Sequence, residues 1–326
     1  MNNIDFKSKN HLITKQLYTT IEDLLASNKY TLTTISELTG VCRNIIKDID
    51  KQRLSNLYLD KNSNIRKPTE YSKYIAIDEF SLHRGHKYAT HIIDLETEHV
   101  LWIAKGKKKQ VVYDFLEYVW SDFSNHIVAV ACDINSDFEE AFKEKCSHIT
   151  IVYDLFHIVK NFNDKVVNEV RKDEIKRLNE EGRFDEAKSL KNSKYILMSS
   201  TNTLKQKAKE AKDQIVISKG SKLYNTKPYI RKGGNLQRYK KLIKLNELFF
   251  TIDLVKENLK LAYICNTKKE MVKIINNIIS ICNGTKNNHF MWFAKLLTNH
   301  LDGIVSHYKY KISTGKIEGL NNKIKT

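Results

Sequence analysis

Hydrophobic positions recur at two spacings along this chain, and the change between them marks its parts. Over residues 17–25, Leu17, Ile21, Leu24 and Leu25 share one helical face. The stretch from Thr31 to Ile46 predicts two short helices around a glycine. Thr34 caps the first, and Glu37, three residues on, completes a capping box. Gly40 ends that helix in a tight turn, and a second helix runs from about Arg43 to Leu54 with Ile45, Ile46 and Ile49 facing inward. Helix, glycine turn, helix is the pattern of a helix-turn-helix. It offers Arg43, Asn44 and Lys47 of the second helix to DNA; a small helical hairpin with no DNA role fits the same spacing. Asn62 to Pro68 is polar and reads as a linker, which sets residues 1–69 apart from the rest.

From residue 70 the apolar runs shorten and gain β-branched residues, the signature of buried strands. Ile75-Ala76-Ile77 ends on Asp78, Val128-Ala129-Val130-Ala131-Cys132 on Asp133, and Ile149-Thr150-Ile151-Val152-Tyr153 on Asp154. Two further runs, 87–94 and 99–104, are joined by the short link Leu95-Glu96-Thr97-Glu98, so the first three strands form an antiparallel meander. Val111, Val112, Phe115, Leu116 and Val119 predict a helix within Lys107 to Trp120, and another covers about Asp137 to Lys145. The order is β-β-β-α-β-α-β, with a helical crossover that suits a parallel strand beside the first. The pattern from about 161 to 307 is mainly helical, with a strongly basic excursion at 205–241. Trp292 and Phe293 read as ordinary helix core.

Composition narrows the class. The chain has 326 residues, 41% of them apolar, which is enough for two or three domains with sizeable cores. A formal charge of +17 fits a nucleic-acid partner, although a Lys-, Asn- and Ile-rich chain is also the product of an AT-rich genome. Five dispersed cysteines without a CxxC pair argue against a disulfide framework and a zinc finger, and point to a reducing cytosol. No signal peptide is visible in Met1 to His11, and no apolar run approaches the roughly 18–20 residues that span a bilayer. A cytoplasmic, nucleoid-associated protein without a membrane partner is expected.

The chemistry lies in the strand-ending aspartates. If their strands are parallel neighbours, the carboxylates share the sheet edge where open α/β sheets bind ligands. Carboxylates gathered there repel one another unless a cation neutralises them. The economical reading is a magnesium site acting on a phosphodiester, with Asp78 and Asp133 as its first candidates. A single aspartate at a strand end usually caps a helix or turn; repetition over three strands carries more weight. Glu79 alternates away from Asp78 and is expected on the other side of the sheet. His83, Arg84 and His86 fall in a polar loop that either contacts phosphate or is simply solvated. His157 either orients DNA or a carboxylate, or is a satisfied core histidine behind the helix-start Asp154.

Four segments, taken in order, resemble the ISL-three family of bacterial insertion-sequence transposases. They are Tyr74-Ile75-Ala76-Ile77-Asp78-Glu79-Phe80, Asp94-Leu95-Glu96-Thr97, Asp154-Leu155-Phe156-His157-Ile158-Val159-Lys160, and Gly315-Lys316-Ile317-Glu318-Gly319-Leu320-Asn321-Asn322-Lys323-Ile324-Lys325. The resemblance runs from the helix-turn-helix to the end of the chain. It implies a ribonuclease H-like mixed α/β core of the DDE type, whose first part is 70–160. A large helical insertion at 161–307 comes next, and 308–326 supplies the catalytic helix. It implies Asp78, Asp133 and Glu318 as the metal-binding catalytic triad, Mg2+ or Mn2+ as cofactor, and Asp154 and His157 beside the site. The implied partner is DNA, as transposon terminal inverted repeats and target, with a homo-oligomer assembled on it. Glu318 stands out only through the resemblance; by local reading it is a surface glutamate on a basic helix. The chain departs from the family in lacking a cysteine-rich N-terminal zinc-binding domain, in carrying Thr314 where Asn is usual, and in stopping at Thr326. A truncated copy is therefore expected. Beside a DDE transposase, two other readings fit the sequence. One is a non-catalytic DNA-binding protein that occupies transposon ends; the other is a ribonuclease H-like nuclease or resolvase.

Overall fold

The computed structural model describes residues 12–27, 29–83, 87–134, 137–214, 216–218, 227–230, 234–315 and 317. The chain divides into two compact units, Met1–Thr69 and Glu70–Thr326.

In the first unit α1 (Lys15–Ala26), α2 (Leu32–Thr39) and α3 (Arg43–Tyr58) enclose a core of Ile21, Leu25, Ile35, Val41, Ile46 and Ile49. Gly40 takes the left-handed conformation at φ 70°, which ends α2 where a side chain would be strained. The cap of α2 is Thr31 rather than Thr34: the Thr31 hydroxyl accepts the Thr34 amide at 3.1 Å. The earlier start brings Leu32 against the core beside Ile35, which a helix capped by Thr34 would leave outside. Glu37 is then too far along to close a capping box and stands exposed. The expected linker is partly folded, because Asp60 accepts the amides of Asn62 and Asn64, and Leu59 bridges to Ile65.

The second unit is built on a five-stranded mixed sheet of order β3-β2-β1-β4-β5. Its strands are β1 (Tyr74–His83), β2 (Lys87–Asp94), β3 (Val100–Lys105), β4 (Ala129–Cys132) and β5 (Thr150–Tyr153). β1 to β3 form the antiparallel meander, and β4 and β5 run parallel to β1. β1 does not stop at Asp78. It continues to His83 because β2 keeps pairing with it as far as Lys87, whereas β4 matches β1 only over Tyr74–Ala76. Arg84 and His86 lie outside the described residues. This is the ribonuclease H-like arrangement that the sequence implies.

One sheet face is covered by α4 (Lys109–His126) and α5 (Asp137–Lys145), whose Val112, Phe115, Phe138 and Phe142 join Ile75, Ile77 and Val130 in the large core. The other face is small: Ala76, Ala129 and Ala131 with Ile93, Leu95 and Val152. Three alanines leave room for the chain's late segment, and Ile312 and Ile317 fill it.

The insertion is helical as expected. α6 (Leu155–Phe162) continues through a π-helical turn (Asn163–Val167) into α7 (Asn168–Glu180), α8 (Phe184–Leu190), α9 (Lys194–Met198) and α10 (Thr201–Lys212). A two-stranded ribbon, β6 (Val216–Ser218) and β7 (Tyr229–Ile230), precedes α11 (Asn235–Leu245) and α12 (Glu247–Ile264). α13 (Lys268–Gly284), α14 (Asn288–Asn299), α15 (Leu301–Val305) and α16 (His307–Tyr310) return the chain to the sheet. Phe293 is fully buried in this layer and Trp292 is 38% exposed, so only the first is core.

The return is tight at Gly303, where a Cβ would overlap ring carbons Cε2 and Cδ2 of the buried Tyr153. Overpacking of this kind costs about 1–3 kcal/mol. Gly303→Ala is therefore expected to lower the unfolding free energy by that amount in urea denaturation; an unchanged midpoint would show that α15 does not lie on β5.

Candidate active site

Register places the carboxylates. Ala76 pairs with Ala131, and Ala131 with Val152, across three parallel neighbours. Side chains alternate along a strand, so Asp78, Asp133 and Asp154, each two residues further on, are equivalent positions on the face that carries Ile312 and Ile317. Asp78 and Asp133 line one cavity of about 230 Å³, together with Glu79, Asp137, Lys107 and Lys108.

Glu79 also lines that cavity, although it was expected on the other side of the sheet from Asp78. Alternation does put it on the Ile77 face. β4 has ended at this level, however, so the cavity opens over the uncovered edge of β1 and both residues reach it. Burial raises the Glu79 pKa; the Lys107 ammonium, 4.0 Å away, opposes that, and the charges of Asp78 and Asp133 add to the rise.

Asp154 faces inward as a hub. One of its carboxylate oxygens accepts the Phe156 amide at 3.2 Å and caps α6. The other accepts the Thr314 amide at 2.9 Å, the Thr314 hydroxyl at 2.9 Å and the Ser313 hydroxyl at 3.1 Å. The Thr314 hydroxyl spends its one proton on Asp154, so it receives the Nε2 proton of His157 at 3.1 Å. His157 Nδ1 stands 3.2 Å from Asp133 Oδ1. A continuous polar path thus runs from Asp133 through His157 and Thr314 to Asp154. Burial alone would lower the His157 pKa, but contact with Asp133 and the charges of Asp133, Asp78 and Asp154 outweigh it, and the pKa is raised. A buried imidazolium with the Asp133 carboxylate beside Nδ1 and the Thr314 hydroxyl on Nε2 fits that sign.

His91, the cross-strand partner of Asp78, is fully buried, and burial pushes its pKa down to about 4. It stays neutral and brings no charge to balance the aspartates. Glu318 lies outside the described residues. Ile317, just before it, is fully buried on the face that Asp78 and Asp133 share.

Carboxylate oxygens are the donors that Mg2+ or Mn2+ prefers, and Mg2+ is usually held by one or two carboxylates plus substrate phosphate and water. Asp78 and Asp133 in one cavity fit that requirement. Among the described residues no group of three His, Cys, Asp or Glu side chains closes on a metal position. In the first unit, Arg43, Asn44 and Lys47 are all exposed on α3. Sequence reasoning missed Lys107 and Lys108, whose signal was only a lysine run before a helix. It had noted Thr314 as a departure without giving it a role. No helix among the described residues is long and apolar enough to cross a membrane.

In the metal-free protein, His157 is expected to titrate above 6.5 by NMR, and Asp133→Asn to bring it down. Because the folded-state value is the higher one, the stabilisation is complete below 6.5 and fades as pH rises through the raised value. A folded-state pKa below 6.5 would contradict the arrangement.

Comparison with known proteins finds transposases among those similar to this chain. The chain is 25% identical over 316 residues to the transposase for insertion sequence element IS1001 of Bordetella parapertussis, covering 94% of this chain and 69% of that protein. It is 27% identical over 101 residues to the transposase for insertion sequence element IS1557 of Mycobacterium tuberculosis, covering 31% of this chain and 21% of that protein. The ISL3-type DDE family, described as transposase, matches residues 75–326. With most of its length inside that match, the chain belongs to the ISL3 family of DDE transposases.

Proposed function

We propose that this chain cleaves and joins the DNA ends of an insertion sequence by metal-assisted phosphodiester chemistry, with Asp78, Asp133 and Glu318 as its catalytic carboxylates. The observation that carries this reading is the register-matched pair Asp78 and Asp133 on one cavity. Family membership and the relatives named as transposases support the reaction class.

Asp78 and Asp133 would hold Mg2+ or Mn2+ at the sheet edge, where a bound ion would supply Lewis-acid polarisation of the phosphoryl oxygen and activation of the attacking water. His157 fixes the orientation of Asp133 from behind, while Asp154 ties down Ser313 and Thr314, five and four residues before Glu318. The segment that precedes Glu318 is thereby anchored to the strand edge that presents the aspartates. Water attacks the phosphodiester at the element's end, the bond to the 3′ oxygen breaks, and a 3′-hydroxyl is freed. That hydroxyl attacks a target phosphodiester and displaces its 3′ oxygen, so the number of phosphodiester bonds is conserved at joining. Recognition of the ends falls to α3 through Arg43, Asn44 and Lys47, a reading supported by their exposure on the second helix of the helix-turn-helix pattern.

Removing one metal-holding carboxylate is expected to cost about a thousandfold in cleavage, equivalent to roughly 4 kcal/mol of transition-state stabilisation. Asp78→Asn and Asp133→Asn should each show that loss in a Mg2+-dependent nicking assay on element-end DNA, with DNA affinity retained. Wild-type cleavage by Asp78→Asn would overturn the catalytic assignment. Binding without cleavage by the unaltered chain would leave a protein that occupies transposon ends.

A further inference from the structure

A second cavity of about 380 Å³ adjoins the carboxylate cavity and shares two residues with it, Lys107 and Lys108. Its wall adds Tyr88, Lys105 and Gln110, and it contains three lysines and no carboxylate. The two cavities therefore differ in sign. One gathers Asp78, Glu79, Asp133 and Asp137; the next is set to receive an anion.

The turn that carries these lysines is held in shape. Gly106, between β3 and α4, has φ 113°, a conformation that favours glycine. Its amide donates to the Tyr88 carbonyl at 2.8 Å, and its carbonyl accepts the Thr90 hydroxyl at 2.7 Å. Both backbone groups of the glycine are thus tied to β2, and the neighbouring side chains are presented from a fixed base.

The four lysines of this turn have different surroundings. Lys109 is tied to Glu140 at 2.6 Å and Glu144 at 2.7 Å, and joins α4 to α5. Lys107 lies over the Tyr88 ring at 4.3 Å, with Glu79 at 4.0 Å and its side chain 49% exposed. Lys105 and Lys108 are exposed, with no carboxylate among the described residues within ion-pair distance. Three cations thus face a common space one step from the aspartates, while the fourth is neutralised within the fold.

We infer that the β3–α4 turn is a phosphate-binding subsite: Lys105, Lys107 and Lys108 grip the backbone phosphates next to the scissile one and feed that strand into the Asp78–Asp133 cavity. The ligand is a nucleic-acid backbone, read without regard to sequence, since lysine contacts phosphate as a point charge. These lysines are positioning residues. The inference rests on the proposed phosphodiester chemistry for its direction of threading, but its charge test is independent of catalysis.

The test is the salt dependence of binding by the full chain to a fluorescein-labelled duplex of random sequence, monitored by anisotropy in EDTA so that no cleavage occurs. Each lost phosphate contact removes about 0.9 from the log–log slope. Lys105→Gln and Lys108→Gln should each lower the slope by about that much, and the double variant by about twice as much. Lys108→Arg should keep the wild-type slope. Lys109→Ala should also keep it, while its thermal midpoint falls with the loss of the Glu140 and Glu144 contacts. Wild-type slopes in both single variants overturn the subsite. Nicking by Asp78→Asn is read separately, so reduced slopes with undiminished nicking would sustain the subsite and remove the catalytic reading.

Discussion

The structure depends on the register of three parallel strands. Hydrogen bonding pairs Ala76 with Ala131 and Ala131 with Val152, and a strand's two-residue period then fixes the direction of every later side chain. Asp78, Asp133 and Asp154 must come to the same level on the same face. A slip of one residue in β4 would turn Asp133 to the opposite face and bury the alternate set of side chains against the wrong layer. The hydrophobic core holds the register, because Val130 and Cys132 belong to the face packed by Phe115 and Phe142 while Ala129 and Ala131 belong to the other. The packing that stabilises the sheet therefore also aligns the carboxylates.

The three aligned carboxylates meet different surroundings. Asp154 is almost fully buried and satisfied by hydroxyl and amide donors of Ser313, Thr314 and Phe156. Asp133 is 38% exposed in its side chain and touches the buried His157. Asp78 opens to the cavity, and its Oδ1 accepts the Glu79 amide at 2.8 Å. One carboxylate thus anchors the late chain segment, one links that anchor to the cavity, and one faces it. Thr314, fully buried, is the joint between them. Lys107 and Lys108 line the same cavity and bring positive charge to it.

Much of this was legible in the chain. Strand order and the three aspartates could be read from short β-branched runs, since burial on both faces demands such runs. The helix-turn-helix could be read from Gly40 between two periodic stretches. Other features depended on contacts distant in sequence. The link from His157 to Thr314 spans the whole helical insertion, and no local pattern announces it. The extension of β1 past Asp78 is set by its partner β2, so a run of apolar residues marked its end too early. The Thr31 cap was misplaced because two threonines three apart offer the same chemistry, and only the packing of Leu32 decides between them. Glu318 has no local signal at all; its proposed role rests on the resemblance to the family.

The most direct measurement is anomalous scattering from crystals of the full chain grown with Mn2+. The account predicts a manganese peak in the cavity beneath Lys107 and Lys108, within about 2.5 Å of a carboxylate oxygen of Asp78 and one of Asp133, with the peak abolished in Asp133→Asn. Manganese bound elsewhere, or a cavity in which the two carboxylates point apart and hold no ion, would contradict it.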